Sequence, residues 1–238
     1  MNQKTKDALV VGFALFAVFF GAGNLIFPPL IGVVSGSAWP SAIAGLTLSG
    51  IMLPIATIIA VDNMGGGFER LCRPVSSWFC SAYMVFLVIF ILTCGIPRQG
   101  GVGIETGVFS VLPSLQNSRA ALIIGLLCYY GLVLFFTTRK SSFIDIIGKY
   151  LTPFLLIILI IIVAASIISP IGTPVDTGST GNFTYAFLQG YQTGDVAVGI
   201  VIAGTFIASI KAKGYQKKSE RNKAVTKAVV VALIGLLI

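Results

Sequence analysis

The sequence predicts an all-α, polytopic membrane protein, and three observations carry that prediction. Hydrophobic residues make up 56% of the 238 positions, charged residues 10%, and the mean hydropathy is +0.96. A soluble domain of this size could not keep such a balance off its surface. Six windows are apolar enough to cross a bilayer, which takes roughly 20 mainly apolar residues for a hydrocarbon core of about 30 Å. The basic residues sit in the short gaps between these windows. The formal net charge of +8 therefore reads as membrane topology and not as a nucleic-acid surface.

The windows lie at approximately 8–34, 41–61, 75–97, 119–137, 143–168 and 183–210, and a seventh begins near Ala224. The first is interrupted at Gly21-Ala22-Gly23-Asn24. A secretory signal is the competing reading there, because Lys4 and Lys6 precede the apolar run from Ala8 to Phe20. Apolar sequence resumes at once with Leu25-Ile26-Phe27 and runs past Pro28-Pro29, which suits a span in two parts. Beyond the apolar part of the third window stand Arg98 and Glu105, a gating pair with other spans or, for Arg98, a side chain snorkelling to the outer interface. Asp145 and Lys149 open the fifth window as an i, i+4 surface pair of small weight. The segment 169–182 is rich in Gly, Pro, Thr and Ser and reads as a loop.

The sixth window repeats the irregularity of the first, with Gly190-Tyr191-Gln192-Thr193-Gly194-Asp195 set between apolar runs. From Lys211 to Lys227 follow seven basic residues and one acid, Glu220, a topology signal or an anionic-lipid contact. After Lys227 eleven residues remain, which reach roughly 16 Å at about 1.5 Å per residue, so the sequence predicts a chain that stops inside a span. With the N-terminus in the cytoplasm, 14 of the 16 basic residues fall on the inner side, leaving Arg98 and Arg119 outside. Cys72, Cys80, Cys94 and Cys128 lack metal-ligand spacing in a chain without histidine, and read as buried small hydrophobes.

Two interrupted spans carry the functional reading. An unwound turn at mid-membrane is tolerated only where it is buried in protein or lines a polar cavity. Each break exposes N–H groups at one half-helix N-terminus and carbonyls at the other half's C-terminus, with dipoles that favour an anion and a cation respectively. The alternative is that the glycines simply allow close helix packing. Spans one and six also occupy matching positions in two halves of five, as in inverted-repeat transporters. The predicted organisation is a first repeat at 1–168, an extracellular loop at 169–182 and the start of a second repeat at 183–238.

The stretch Phe19-Phe20-Gly21-Ala22-Gly23-Asn24-Leu25-Ile26-Phe27-Pro28-Pro29, with Ile96-Pro97-Arg98 and Gly190-Tyr191-Gln192-Thr193, resembles the branched-chain amino acid:cation symporters, bacterial carriers for leucine, isoleucine and valine. More distantly, Gly21-Ala22-Gly23-Asn24 followed by Phe27-Pro28 is similar to the first-span signature of sodium-coupled amino acid transporters of five-plus-five, LeuT-like fold. The resemblance implies import of these amino acids across a bacterial plasma membrane, coupled to Na+ or H+ and without a cofactor. It implies that backbone groups at Gly21, Ala22 and Gly23 hold the substrate carboxylate, with Gly190, Tyr191, Gln192, Thr193 and Gly194 completing the site and Tyr191 acting as a wall or gate. For the coupling cation it implies Asn24, with Phe20 and Thr193. Two positions depart from the family pattern: Gly194 stands where methionine is usual, and Gln99-Gly100 where Thr-Ala is common.

No Walker motif or other nucleotide loop is present, so an ion gradient is the expected driving force. A channel with broken-helix filter loops stays open as an alternative. An intramembrane enzyme is poorly supported, since His is absent and Asp62, Glu69, Asp145 and Glu220 lie at predicted cytoplasmic ends. Because the second repeat is expected to be incomplete, this chain is expected not to transport by itself.

Overall fold

The computed structural model describes residues 3–65, 67–72, 74–138, 149–150, 152–170 and 172–237, and every regular element among them is helical. The chain divides into two compact units, Met1–Cys80 with Ile144–Ile238, and Ser81–Phe143. In chain order the helices are α1 (Gln3–Phe19), α2 (Ala22–Ser35), α3 (Trp39–Leu46), α4 (Leu53–Asn63), α5 (Phe68–Cys72), α6 (Ser77–Phe90), α7 (Ile96–Val102), α8 (Arg119–Thr137), α9 (Thr152–Ile168), α10 (Asn182–Tyr191), α11 (Asp195–Ala212) and α12 (Lys218–Leu237). Four helical stretches are long and apolar enough to cross a membrane, namely Gly23–Asn63, Trp78–Phe109, Arg119–Thr137 and Asp195–Ala212.

The core of the larger unit follows from the spacing of apolar residues. Val11, Leu15, Phe16 and Phe19 recur at three- and four-residue steps and so share one face of α1. That face meets Ile55, Ile58 and Val61 of α4, Ala203, Phe206, Ile207 and Ile210 of α11, and Val225, Ala228, Val229 and Ala232 of α12. A smaller cluster joins Phe27 and Ile31 of α2 to Ala42 of α3 and Ala186 of α10. Between apolar helices in lipid no hydrophobic drive remains, and close packing through small residues takes its place. A Cβ on Gly12 would stand 2.7 Å from the Ala228 carbonyl oxygen of α12. The segment 172–181 is pinned to the turn between α2 and α3: the Thr177 hydroxyl donates to the Val34 carbonyl at 2.8 Å, and the Ser37 N–H to the Val175 carbonyl at 2.9 Å.

Prolines accompany two of the irregular turns. Pro54 and Pro97 each follow a π-helical turn, Thr47–Met52 and Ile91–Gly95. A proline lacks the N–H that would bond four residues back, and the wider turn absorbs the loss. In the smaller unit the Tyr130 hydroxyl donates to the Ile96 carbonyl at 2.9 Å, tying α8 to α7. No residue of α8 is buried, and Leu127 is 68% exposed. An apolar helix uncovered over this much of its surface suits a lipid environment.

Several boundaries differ from expectation, each for an identifiable reason. The third span does not stop near 97; helix continues through Arg98 and Glu105 to Phe109. The helix that carries the seventh window begins at Lys218, not near Ala224, and Arg221 in its first turn is buried against Asp62, which compensates its charge. Hydropathy marks the stretch that crosses hydrocarbon, and helices project beyond it. Cys72 is buried and Cys80 half-buried, but Cys94 and Cys128 are exposed, so the burial expected of all four fails for two. The expected pair Asp145–Lys149 falls on Asp145, outside the described residues.

Candidate functional site

Both predicted breaks are present. Helix α1 ends at Phe19 and α2 starts at Ala22, so the first break is Phe20-Gly21, narrower than the four residues expected. Gly21 is extended, with φ −95° and ψ −173°. The Phe20 N–H still donates to the Phe16 carbonyl at 2.7 Å, but the Gly21 N–H turns to Phe19 at 3.0 Å, which leaves the Ala17 carbonyl without its helical donor. Ala22 and Gly23 open the first turn of α2, where N–H groups lack an intrahelical acceptor, while the Asn24 N–H donates back to the Gly21 carbonyl at 3.1 Å. Six residues into α2, Pro28 and Pro29 remove the N–H groups that would bond the carbonyls of Asn24 and Leu25.

The second break is Gln192-Thr193-Gly194, between α10 and α11. Gly194 caps α11 with φ +78°, a left-handed conformation that costs other residues about 1–2 kcal/mol. The Thr193 hydroxyl donates to the Gly190 carbonyl at 2.8 Å and accepts the Asp195 N–H at 3.4 Å, so the turn is held by its own polar side chain.

The two breaks meet. A Cβ on Gly23 would lie 3.2 Å from Thr193 Cγ2, so α2 and the second break touch through a glycine and a threonine methyl. Around Gly21, by contrast, no described residue beyond its chain neighbours lies within 4 Å of where a Cβ would stand, which leaves room beside its backbone. Two buried side-chain oxygens flanking this contact have no hydrogen-bond partner among the described residues: Oδ1 of Asn24 and Oδ2 of Asp195. Ser35 Oγ, at the far end of α2, is a third such atom. The arrangement offers N–H groups at the starts of α2 and α11 and acceptor oxygens beside them, the donor set a zwitterion with a cation requires.

The other expected site residues are placed as follows. Phe20 stacks on Phe16 with ring centroids 5.2 Å apart. Gly190 is a glycine for packing: a Cβ there would stand 3.0 Å from the Gly50 nitrogen in the π turn before α4 and would strike Ser49 Oγ. Its carbonyl is already engaged by Thr193. Tyr191 and Gln192 are exposed. Arg98 and Glu105 belong to the other compact unit, exposed on one continuous helical stretch. Asp195 was not among the expected ligands, although it is the acid nearest the middle of any apolar window and that position was its signal.

Comparison with known proteins places the chain. The family model of the branched-chain amino acid transport proteins matches residues 4–238. The chain is 34% identical to the branched-chain amino acid permease BraB of Bacillus subtilis over 97% of its own length and 53% of that protein's. It is 34% identical to the permease BrnQ of the same organism, over 100% of the chain and 56% of the relative. With the branched-chain amino acid transport system 3 carrier protein of Pseudomonas aeruginosa it shares 31% identity, over 99% of the chain and 54% of the relative. The chain thus spans about half the length of these curated relatives. No solved structure matches it. The chain belongs to the family of branched-chain amino acid transport proteins, and its apolar helices make it a multi-pass member of that family.

Proposed function

We propose that the protein takes part in cation-coupled uptake of leucine, isoleucine and valine, with the substrate held where the two helix breaks meet. The observation that carries this reading is the contact of Gly23 with Thr193, which joins two half-helix N-termini beside the unpartnered Oδ1 of Asn24. The names of the relatives, permeases and carriers of branched-chain amino acids, support the substrate class. The N–H groups of Ala22 and Gly23 would receive the substrate carboxylate, and the freed carbonyls at the end of α1 its ammonium group. The proposed frame is a five-plus-five inverted repeat, with 1–168 as the first repeat, 169–182 as an outward loop and 183–238 as the start of the second. The N-terminus is cytoplasmic in this frame, as the basic residues favour.

An aliphatic pocket separates side chains that differ by one methylene only by about 1–3 kcal/mol, so the three substrates should compete. The test is equilibrium binding of labelled leucine to the purified protein. Saturable binding displaced by isoleucine and valine, and not by lysine or glutamate, is expected. Absence of displacement by isoleucine and valine would remove the substrate assignment, and a non-saturable, non-concentrative flux in vesicles would favour the channel.

A further inference from the structure

We propose that Asp195 supplies the carboxylate ligand of a bound alkali cation shared with Asn24, an assignment that rests on the uptake reading and adds a charged ligand to it. Three observations on the two breaks converge on this residue.

The first is the orphaned oxygen. Oδ2 of Asp195 is buried with no hydrogen-bond partner among the described residues, and no ion pair reaches the side chain among them. Asp195 is the first residue of α11, where an acid commonly serves the helix dipole. That role is served equally well by an exposed carboxylate and does not call for a buried, unpaired oxygen. An ionised group inside a membrane-spanning segment is costly unless it has a partner.

The second is the opposing acceptor. Asn24 Oδ1 is also buried and unpartnered, and the contact between Gly23 and Thr193 brings the two segments together, so Asn24 is one residue from that contact on one side and Asp195 two residues from it on the other. An amide oxygen cannot be protonated at ordinary pH, and a carboxylate oxygen gives it no donor. Two acceptors without donors on facing segments are satisfied together by a hard cation, which takes oxygen ligands.

The third is the supply of further oxygens. Pro28 takes away the N–H that would bond the Asn24 carbonyl, and the Gly21 N–H is drawn to Phe19 and away from Ala17. The Ala17 carbonyl thus loses its helical donor at the first break, and the Asn24 carbonyl loses its own one turn into α2. At the second break the Gly190 carbonyl is taken by the Thr193 hydroxyl and the Tyr191 carbonyl by the Gly194 N–H, so neither is free for an ion there.

The test uses the purified chain, its Asp195→Asn variant, which keeps the shape and removes the charge, and Asp195→Glu, which keeps the charge and moves it. Thermal unfolding is followed against NaCl at fixed pH and ionic strength, balanced with choline chloride, with leucine binding measured on the same samples. Sodium should raise the unfolding temperature of the parent. The sodium concentration for half the effect should rise at least tenfold in Asp195→Asn and by less in Asp195→Glu. An unchanged sodium dependence in either variant overturns the assignment, and so does a parent that ignores sodium. A parent that responds to sodium but binds no leucine overturns the uptake reading while leaving the cation site standing.

Discussion

The buried pair Asp62–Arg221 lends itself to a quantitative test. It joins the last turn of α4 to the first turn of α12, with Arg221 Nε donating to Asp62 Oδ1 at 2.7 Å and the two side chains 7% and 4% exposed. Arg221 Nη2 also reaches the Asp62 carbonyl at 3.5 Å. At the 2.7 Å separation the gross attraction is roughly 6 kcal/mol for an effective dielectric of about 20. Desolvating two ions costs several kcal/mol each, so the intact pair stabilises the fold by little. Removing one member is different, because it strands the other charge in the interior at a cost of about 3–5 kcal/mol. At about 2–4 °C per kcal/mol, Arg221→Met or Asp62→Leu alone should lower the unfolding temperature by roughly 10 °C. The double variant Asp62→Leu, Arg221→Met should recover most of that loss. The assay is thermal unfolding of the purified protein in detergent for all four members of the cycle. Single variants within about 0.5 kcal/mol of the parent would refute the reasoning, since that is the range of substitutions on an open surface.

Three further outcomes are expected. Gly190→Ala should destabilise the contact between α10 and the π turn by about 1–3 kcal/mol through overpacking, seen as faster proteolysis at 188–194, because its Cβ meets Ser49 and Gly50. Gly194→Ala should cost about 1–2 kcal/mol from its positive φ alone, with a correspondingly lower unfolding temperature. Burial, then the hydrogen bond to Asp7 at 3.2 Å, then the charges of Asp7 and Glu220, push the Tyr215 phenol above its ordinary 10.0. The fold therefore favours the neutral phenol: its contribution is complete below pH 10.0 and is lost as pH rises through the higher folded value, so Tyr215→Phe should flatten the alkaline fall in stability above pH 10.

The breaks in spans one and six were legible because glycines and polar residues inside an apolar run have few structural uses, and the fourth span was read to the residue, 119–137. The helical extensions at Gly103–Phe109 and Lys218–Lys227 were hidden because hydropathy records the hydrocarbon passage and not the helix. Arg221 entered α12 through a partner 159 residues away, a long-range event that no local pattern announces. Gly190 stands in the sequence as a glycine of the second break, and the packing demand on it from the π turn of Ser49 and Gly50 is a long-range feature that no local pattern announces. Asp195 stood in the sequence as a mid-span acid, but its orphaned oxygen became visible only with the fold.

The most direct measurement is protection of Gly21→Cys from a thiol-reactive methanethiosulfonate reagent, in a background with Cys72, Cys80, Cys94 and Cys128 replaced by Ser. Apart from its own chain neighbours, no described residue comes within 4 Å of the Gly21 Cβ position, and the backbone there is extended, so the new side chain has room in the first break. Leucine, isoleucine and valine should slow the modification in a saturable manner, and lysine and glutamate should not. Modification at the same rate with and without saturating leucine would contradict a substrate site at the paired breaks.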